Sequence, residues 1–202
     1  LATGASNIGE VQRAVKIILE HNPQLVLMQC NTNYTASLEN FKHIHLRVLN
    51  TYRTMFPDLI LGLSDHTSGH ATVLGAIALG ARVVEKHFTD DTGRVGPDHP
   101  FSMTPATWRD MVDRTRELEL ALGNANKVVN DNEQQTVVVQ RRCIRTAREI
   151  KAGEVFTREK IDVLRPATPG AILPYEIPAV VGCRALADMP AGKEIYWTDL
   201  GK

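Results

Sequence analysis

Short apolar runs alternate with amphipathic stretches through the first 122 residues. Asn7 stands three residues before Glu10, the spacing of a capping box, and Ile8, Val11, Val15, Ile18 and Leu19 recur behind it at helical spacing. Leu25-Val26-Leu27-Met28 is a continuous apolar run of the kind a strand buried on both faces needs. The pattern then predicts a long helix over roughly 38–55, a strand at Leu59-Ile60-Leu61-Gly62-Leu63, a small-residue helix over 69–80 and a strand at Arg82-Val83-Val84-Glu85. A loop rich in Asp, Gly and Pro fills 89–103. Thr104-Pro105 supplies an N-cap and a first-turn proline for a last helix carrying Trp108, Met111, Val112 and Leu118.

Strands and helices alternating at about thirty residues per unit imply a parallel sheet with covered faces. Four such units are half of a (β/α)₈ barrel, which takes about 250 residues for eight. A doubly wound open sheet is the competing architecture, but no Gly-x-Gly-x-x-Gly or P-loop pattern follows any strand. The expectation is therefore the second half of a TIM (β/α)₈ barrel over residues 1–122. Such a half leaves open edges and an apolar interior drawn from Leu25, Leu27, Leu61, Leu63, Val83 and Val84, surfaces that recruit partners. The chain opens on Leu-Ala-Thr-Gly at what reads as a strand end, so a fragment is expected.

From residue 123 the texture changes. Residues 123–140 read as a polar linker, and 141–202 as a small β-rich domain with several Gly and Pro turns. Glu149-Ile150-Lys151-Ala152-Gly153 returns as Asp188-Met189-Pro190-Ala191-Gly192, and each copy runs on to an apolar residue, Ile161 and Leu200, which suggests two pseudo-symmetric half-units. Arg141, Arg142, Arg145 and Arg148 cluster at the start; a solvated edge and an anion contact are both open readings.

Composition narrows the classes. Lys+Arg and Asp+Glu are 23 each, so the formal net charge is zero and neither nucleic acid nor an anionic membrane is an expected partner. No run approaches the about 18 apolar residues that span a bilayer, and no signal-peptide pattern opens the chain. Cys30, Cys143 and Cys183 are odd in number and widely spaced, the pattern of buried reduced thiols in a cytoplasmic protein.

In a parallel barrel the chemistry sits just after each strand. Here those positions hold Thr3-Gly4, Cys30-Asn31-Thr32-Asn33-Tyr34, Ser64-Asp65-His66-Thr67 and Lys86-His87-Phe88-Thr89. His66 and His87 fall at one level on adjacent strands, where two neutral imidazoles can hold a divalent metal or serve as hydrogen-bonded structural residues. Asp98, in Gly96-Pro97-Asp98-His99, could face a polyol substrate or organise its turn. Tyr34 and its asparagines could bind sugar hydroxyls or cap the next helix. Ser64 lacks an activating base, and no zinc-type Cys/His cluster occurs. His21, His43, His45 and His70 default to surface or packing roles.

Together these stretches, with Glu85-Lys86-His87-Phe88-Thr89, resemble the sialic acid synthase (N-acetylneuraminate synthase) family. Residues 141–202 resemble its antifreeze-like (SAF) domain, through Ile150-Lys151-Ala152-Gly153-Glu154-Val155-Phe156-Thr157, Leu164-Arg165-Pro166 and Pro190-Ala191-Gly192. The resemblance implies a transferase that condenses phosphoenolpyruvate with an N-acetylhexosamine such as N-acetylmannosamine. It implies that His66 and His87 bind Mn²⁺ or Mg²⁺, that Ser64 helps hold phosphoenolpyruvate, and that Tyr34 and Asp98 hold the sugar. It further implies a domain-swapped homodimer in which Arg165 enters the partner subunit's site. The family's catalytic glutamate and phosphoenolpyruvate-gripping lysines would lie in the other barrel half, so no catalytic residue is expected here. Ala2 stands where a serine is common, and Thr32 where an asparagine is. Two alternatives remain: a non-catalytic sugar- or protein-binding fragment, and a metal-dependent aldolase using pyruvate itself, whose Schiff-base version would want a lone lysine on an apolar strand, where Lys86, the only strand-end lysine, neighbours Glu85 and His87.

Overall fold

Asn7 accepts a hydrogen bond from the Glu10 amide while the Glu10 carboxylate accepts one from the Asn7 amide, and this capping box starts helix α1 (Ile8–His21). The computed structural model describes residues 1–34 and 37–202, in two compact units, Leu1–Asn124 and Ala125–Lys202. In the first, α1 is followed by β1 (Val26–Cys30), α2 (Val48–Met55), β2 (Ile60–Asp65), α3 (Ala71–Ala78), β3 (Val83–Lys86) and α4 (Pro105–Leu122). The strands pair in parallel in the order β1-β2-β3. Ala2 adds a parallel bridge to Met28 on the far side of β1.

Side chains alternate across a sheet, so register decides which apolar residues meet the helices. Leu27, Leu61, Leu63 and Val84 lie on the helix side, packed with Val11, Val15, Leu49, Val73 and Met111. The opposite face carries Val26, Met28, Ile60, Gly62 and Val83, of which Ile60 and Val83 are exposed. Of the six residues expected to line an open interior, only Val83 does so. An unbroken apolar run does not reveal which of its residues face which side.

The long helix expected over 38–55 is two pieces. Leu38–His43 is a 3₁₀ turn, His45 takes φ 48° in the left-handed region, and α2 starts only at Val48. Two side chains from the end of β1 cause the break. Gln29 donates to the Ile44 carbonyl at 2.9 Å and Asn31 to the His43 carbonyl at 3.2 Å, drawing both out of helical pairing.

In the second unit the residues expected as a linker are not wholly irregular. Glu133 accepts from the Asn130 amide at 3.3 Å, Asp131–Glu133 form a 3₁₀ turn, and α5 (Gln134–Gln140) follows. The Val138 carbonyl of α5 accepts from the Ala167 amide at 3.0 Å. Then come β4 (Cys143–Thr146), β5 (Ile161–Leu164), α6 (Ile177–Val180), β6 (Arg184–Ala185) and β7 (Leu200–Gly201), with β4–β5 and β6–β7 antiparallel. The sequence repeat is visible as a pair. Ile150 and Met189 exchange backbone hydrogen bonds of 2.9 and 2.8 Å, and Gly153 and Gly192 turn the chain at φ 80° and 78°. Both copies close over a core of Ile144, Ile150, Phe156, Ile161, Met189 and Ile195. Cys30 and Cys143 are buried, but Cys183 is only partly so; all three are free thiols. Among the described residues no helix is long and apolar enough to cross a membrane.

Gly62 tests the register. A Cβ there would meet the Val83 carbonyl at 2.7 Å and Met28 Cγ at 3.0 Å, whereas one at Gly9 meets nothing nearer than 3.4 Å. Gly62→Ala should destabilise by about 1–3 kcal/mol in urea unfolding, the usual scale of overpacking, while Gly9→Ala should not destabilise. An unaffected Gly62→Ala would contradict the pairing of β2 with β3.

Candidate active site

The three strands end level with one another. Cys30 pairs with Ser64 and Ser64 with Glu85, so the three form a row across the face opposite the helices. The Ser64 hydroxyl, buried, donates to Glu85 Oε1 at 2.8 Å. Burial pushes the Cys30 thiol pKa up, with hydrogen bonds from Ser64 and the Gly4 backbone opposing it, so Cys30 stays protonated at neutral pH. Upstream, Thr3 is pinned between Tyr52, which donates to it at 2.9 Å, and the Met28 carbonyl, which accepts from it at 2.9 Å. A cavity of about 930 Å³ opens beside this point, lined by Thr3, Asn7, Cys30, Asn31, Tyr34 and Tyr52 among others.

Beyond the row the two histidines meet. Their ring centroids are 5.2 Å apart, and Tyr34 lies 4.3 Å from the His66 ring and 5.5 Å from that of His87. Phe101 closes the other side, 5.0 Å from His87 and 6.5 Å from His66. His66 is buried, and its Nδ1 is 2.8 Å from the Asn31 carbonyl. A carbonyl only accepts, so Nδ1 is the donor, and in the neutral ring Nε2 is the nitrogen with a lone pair. Asp98 Oδ2 stands 3.5 Å from His87 Nδ1. Ser64, His66, His87, Tyr34 and Asp98 thus gather at one end of the parallel strands. Among the described residues there is no group of three or more His, Cys, Asp or Glu side chains arranged to hold a metal ion. The donor set that fits a divalent cation is the imidazole pair, one ring already held with Nε2 free, with oxygen ligands from water or substrate completing the shell.

Lys86 is not a free strand-end amine. It is buried on the helix side, where its Nζ lies 2.6 Å from Asp65 Oδ2 and 2.6 Å from the Thr67 carbonyl. An ammonium held this way is not available to form a Schiff base. Sequence reasoning also missed Phe101, whose signal was a lone aromatic two residues after His99, and Asn31 as a tautomer anchor, which no local pattern encodes.

In the second unit, Arg165 is exposed and has no hydrogen-bond or ion-pair partner among the described residues. The next residue is held firmly: the Pro166 carbonyl accepts from Arg145 Nη2 at 2.9 Å and from the Cys143 thiol at 3.3 Å. Arg145 also pairs with Glu194, which accepts from Thr168 and, at 2.8 Å, from Tyr196. The arginine cluster is therefore split, with Arg145 committed internally and Arg141, Arg142 and Arg148 exposed.

The NeuB family model matches residues 1–127, and the SAF domain model residues 141–201. The chain belongs to the NeuB family. An N,N'-diacetyllegionaminic acid synthase of Legionella pneumophila is 34% identical over 202 residues, covering 98% of this chain and 55% of the relative. The human N-acetylneuraminate-9-phosphate synthase is 28% identical over 186 residues, covering 92% and 51%. A sialic acid synthetase from Leptospira borgpetersenii, solved with citrate, superposes with a TM-score of 0.59 at 27% identity, covering 68% of this chain and 47% of its own. The chain spans about half the length of the curated relatives it matches.

Glu194 gives the SAF unit a pH signature. The Thr168 hydrogen bond, helped by Tyr196 and Arg145, holds its carboxyl pKa below the ordinary value. A group whose pKa is lower folded than unfolded stabilises above its unfolded pKa, near 4.3 for Glu, and loses that contribution as pH falls through the folded value. The stability gap between this chain and Glu194→Gln should be level from pH 6 to 8 and shrink steadily below about pH 4. Urea unfolding at each pH measures it; a gap that grows on acidification would reverse the assignment.

Proposed function

We propose that this chain supplies the second half of the barrel and the SAF domain of a nonulosonic acid synthase, which condenses phosphoenolpyruvate with an N-acetylhexosamine. The observation that carries the reading is the convergence of Ser64, His66, His87, Tyr34 and Asp98 at one end of a parallel sheet. A Mn²⁺ or Mg²⁺ ion held by His66 and His87 would supply Lewis-acid polarisation of the sugar's aldehyde oxygen. The Asn31 carbonyl holds the His66 ring by Nδ1, which leaves Nε2 for the ion, and Asp98 stands beside Nδ1 of His87. Ser64 binds phosphoenolpyruvate near Glu85, and Tyr34, exposed on one edge, stacks on the sugar with Asp98 bonding its hydroxyls. The methylene carbon of phosphoenolpyruvate joins the aldehyde carbon, water adds to the enol carbon, and inorganic phosphate leaves, with no redox change. The general acid–base glutamate and the lysines belong to the first barrel half, outside these 202 residues. Arg165 suits the site of a partner subunit in a domain-swapped homodimer, since an unpaired guanidinium complements a phosphate or carboxylate.

One experiment covers these assignments. The chain, expressed in frame with the coding sequence upstream of Leu1, is assayed for phosphate release and 2-keto acid formation from phosphoenolpyruvate and N-acetylmannosamine or its diacetamido relatives. His66→Ala and Arg165→Ala should each lose at least about a hundredfold in kcat/KM, the scale of removing a charge-stabilising group. Mixing the two inactive proteins should restore part of the rate, because swapped heterodimers pair an intact barrel with an intact arginine. Sugar binding without turnover in the unmutated protein would favour a non-catalytic binding module instead. No recovery, with heterodimers confirmed by mass, would place Arg165 in its own chain's site or in none.

A further inference from the structure

We infer that the buried Asp65–Lys86 ion pair is a positioning device that fixes the separation of His66 and His87; the inference rests on the reading of those two rings as a metal pair. Asp65 and Lys86 are the residues immediately before the two histidines, and they face each other across β2 and β3. Their side chains are 0% and 1% exposed. Every acceptor position of Asp65 is used. Oδ1 takes the Thr67 amide at 3.1 Å and the Thr67 hydroxyl at 2.9 Å, while Oδ2 takes Thr72 at 2.5 Å and Lys86 at 2.6 Å. Lys86 also donates to the Thr67 carbonyl at 2.6 Å. His66 is therefore strapped on both sides, through Asp65 and Thr67, and His87 on one, through Lys86, to a single ionic node anchored on α3 by Thr72.

Such a node is a poor source of stability. Desolvating two charges cancels most of their attraction, and an apolar pair of similar volume often does as well. What an apolar pair cannot supply is direction. Five hydrogen bonds converging on one carboxylate and one ammonium set the ends of two strands relative to each other, and the rings follow. Ligands preset in this way bind metal without a reorganisation cost, and the loss of outer supports weakens metal sites by about 10–100-fold.

The test uses the 202-residue chain and Co²⁺ alone, which imidazoles bind more tightly than Mn²⁺. Visible absorption gives the dissociation constant, and the ring-to-ring nuclear Overhauser effect between His66 and His87 reports their separation without metal. Asp65→Asn/Lys86→Met keeps the volume and removes both charges. With far-UV circular dichroism unchanged, it should weaken Co²⁺ binding about tenfold or more and diminish the ring-to-ring effect. A purely structural role would lower the unfolding midpoint and leave both readouts unchanged in the folded protein, and that result overturns the inference. Thr72→Val, which removes the hydroxyl's hydrogen bonds to Asp65 and Thr67 and no charge, covers the case in which the double variant fails to fold. It should weaken binding about threefold, and unchanged readouts there also overturn the inference. If His66→Ala and His87→Ala bind Co²⁺ like the unmutated chain, the metal reading fails by itself, while the metal-free ring contact still judges the positioning.

Discussion

The parallel register of β1, β2 and β3 is the constraint on which the site depends. Because the strands run the same way and end level, each presents its next residues at the same height. The two-residue alternation then sorts those residues by chemistry. Ser64 and Glu85 lie on the face away from the helices; Asp65 and Lys86 go under them; His66 and His87 return to the side of Ser64. A slip of one residue in β3 would put His87 on the helix side and turn Lys86 away from Asp65. The Gly62 contact with the Val83 carbonyl, too close for any side chain, lets the strands keep this register.

The SAF unit is built on a different economy. Its strands are short, and two related turns closing on Gly153 and Gly192 share one core, so symmetry replaces length. Its polar cluster of Arg145, Glu194, Thr168 and Tyr196 holds the Pro166 carbonyl through Arg145, and among the described residues the preceding Arg165 side chain is unpaired. A charge left without a partner on a firmly held loop is available to a ligand or another chain.

Much of this was legible in the residues, because the signals were local. The Asn7-Glu10 box and the Thr104-Pro105 start depend on neighbours within one turn, and both appear where the spacing puts them. The level strand ends follow from apolar runs of known length, which is why His66 and His87 could be paired in advance. What escaped was set by distant contacts. The helix expected over 38–55 breaks because Gln29 and Asn31, on another element, capture its carbonyls. The facing of Leu27, Leu61 and Leu63 was hidden in runs without alternation. The commitment of Lys86 to Asp65 needs the register itself, since the two are 21 residues apart.

At the centre stands the proposal that His66 and His87, whose rings converge at the strand ends, hold one divalent cation. Anomalous diffraction from crystals of the chain grown with Mn²⁺ tests it most directly. A single strong peak is expected within bonding distance of both imidazoles, bonded to Nε2 of His66 while Nδ1 stays on the Asn31 carbonyl. A Mn²⁺ peak bound elsewhere, with the two rings unmetallated, would contradict it.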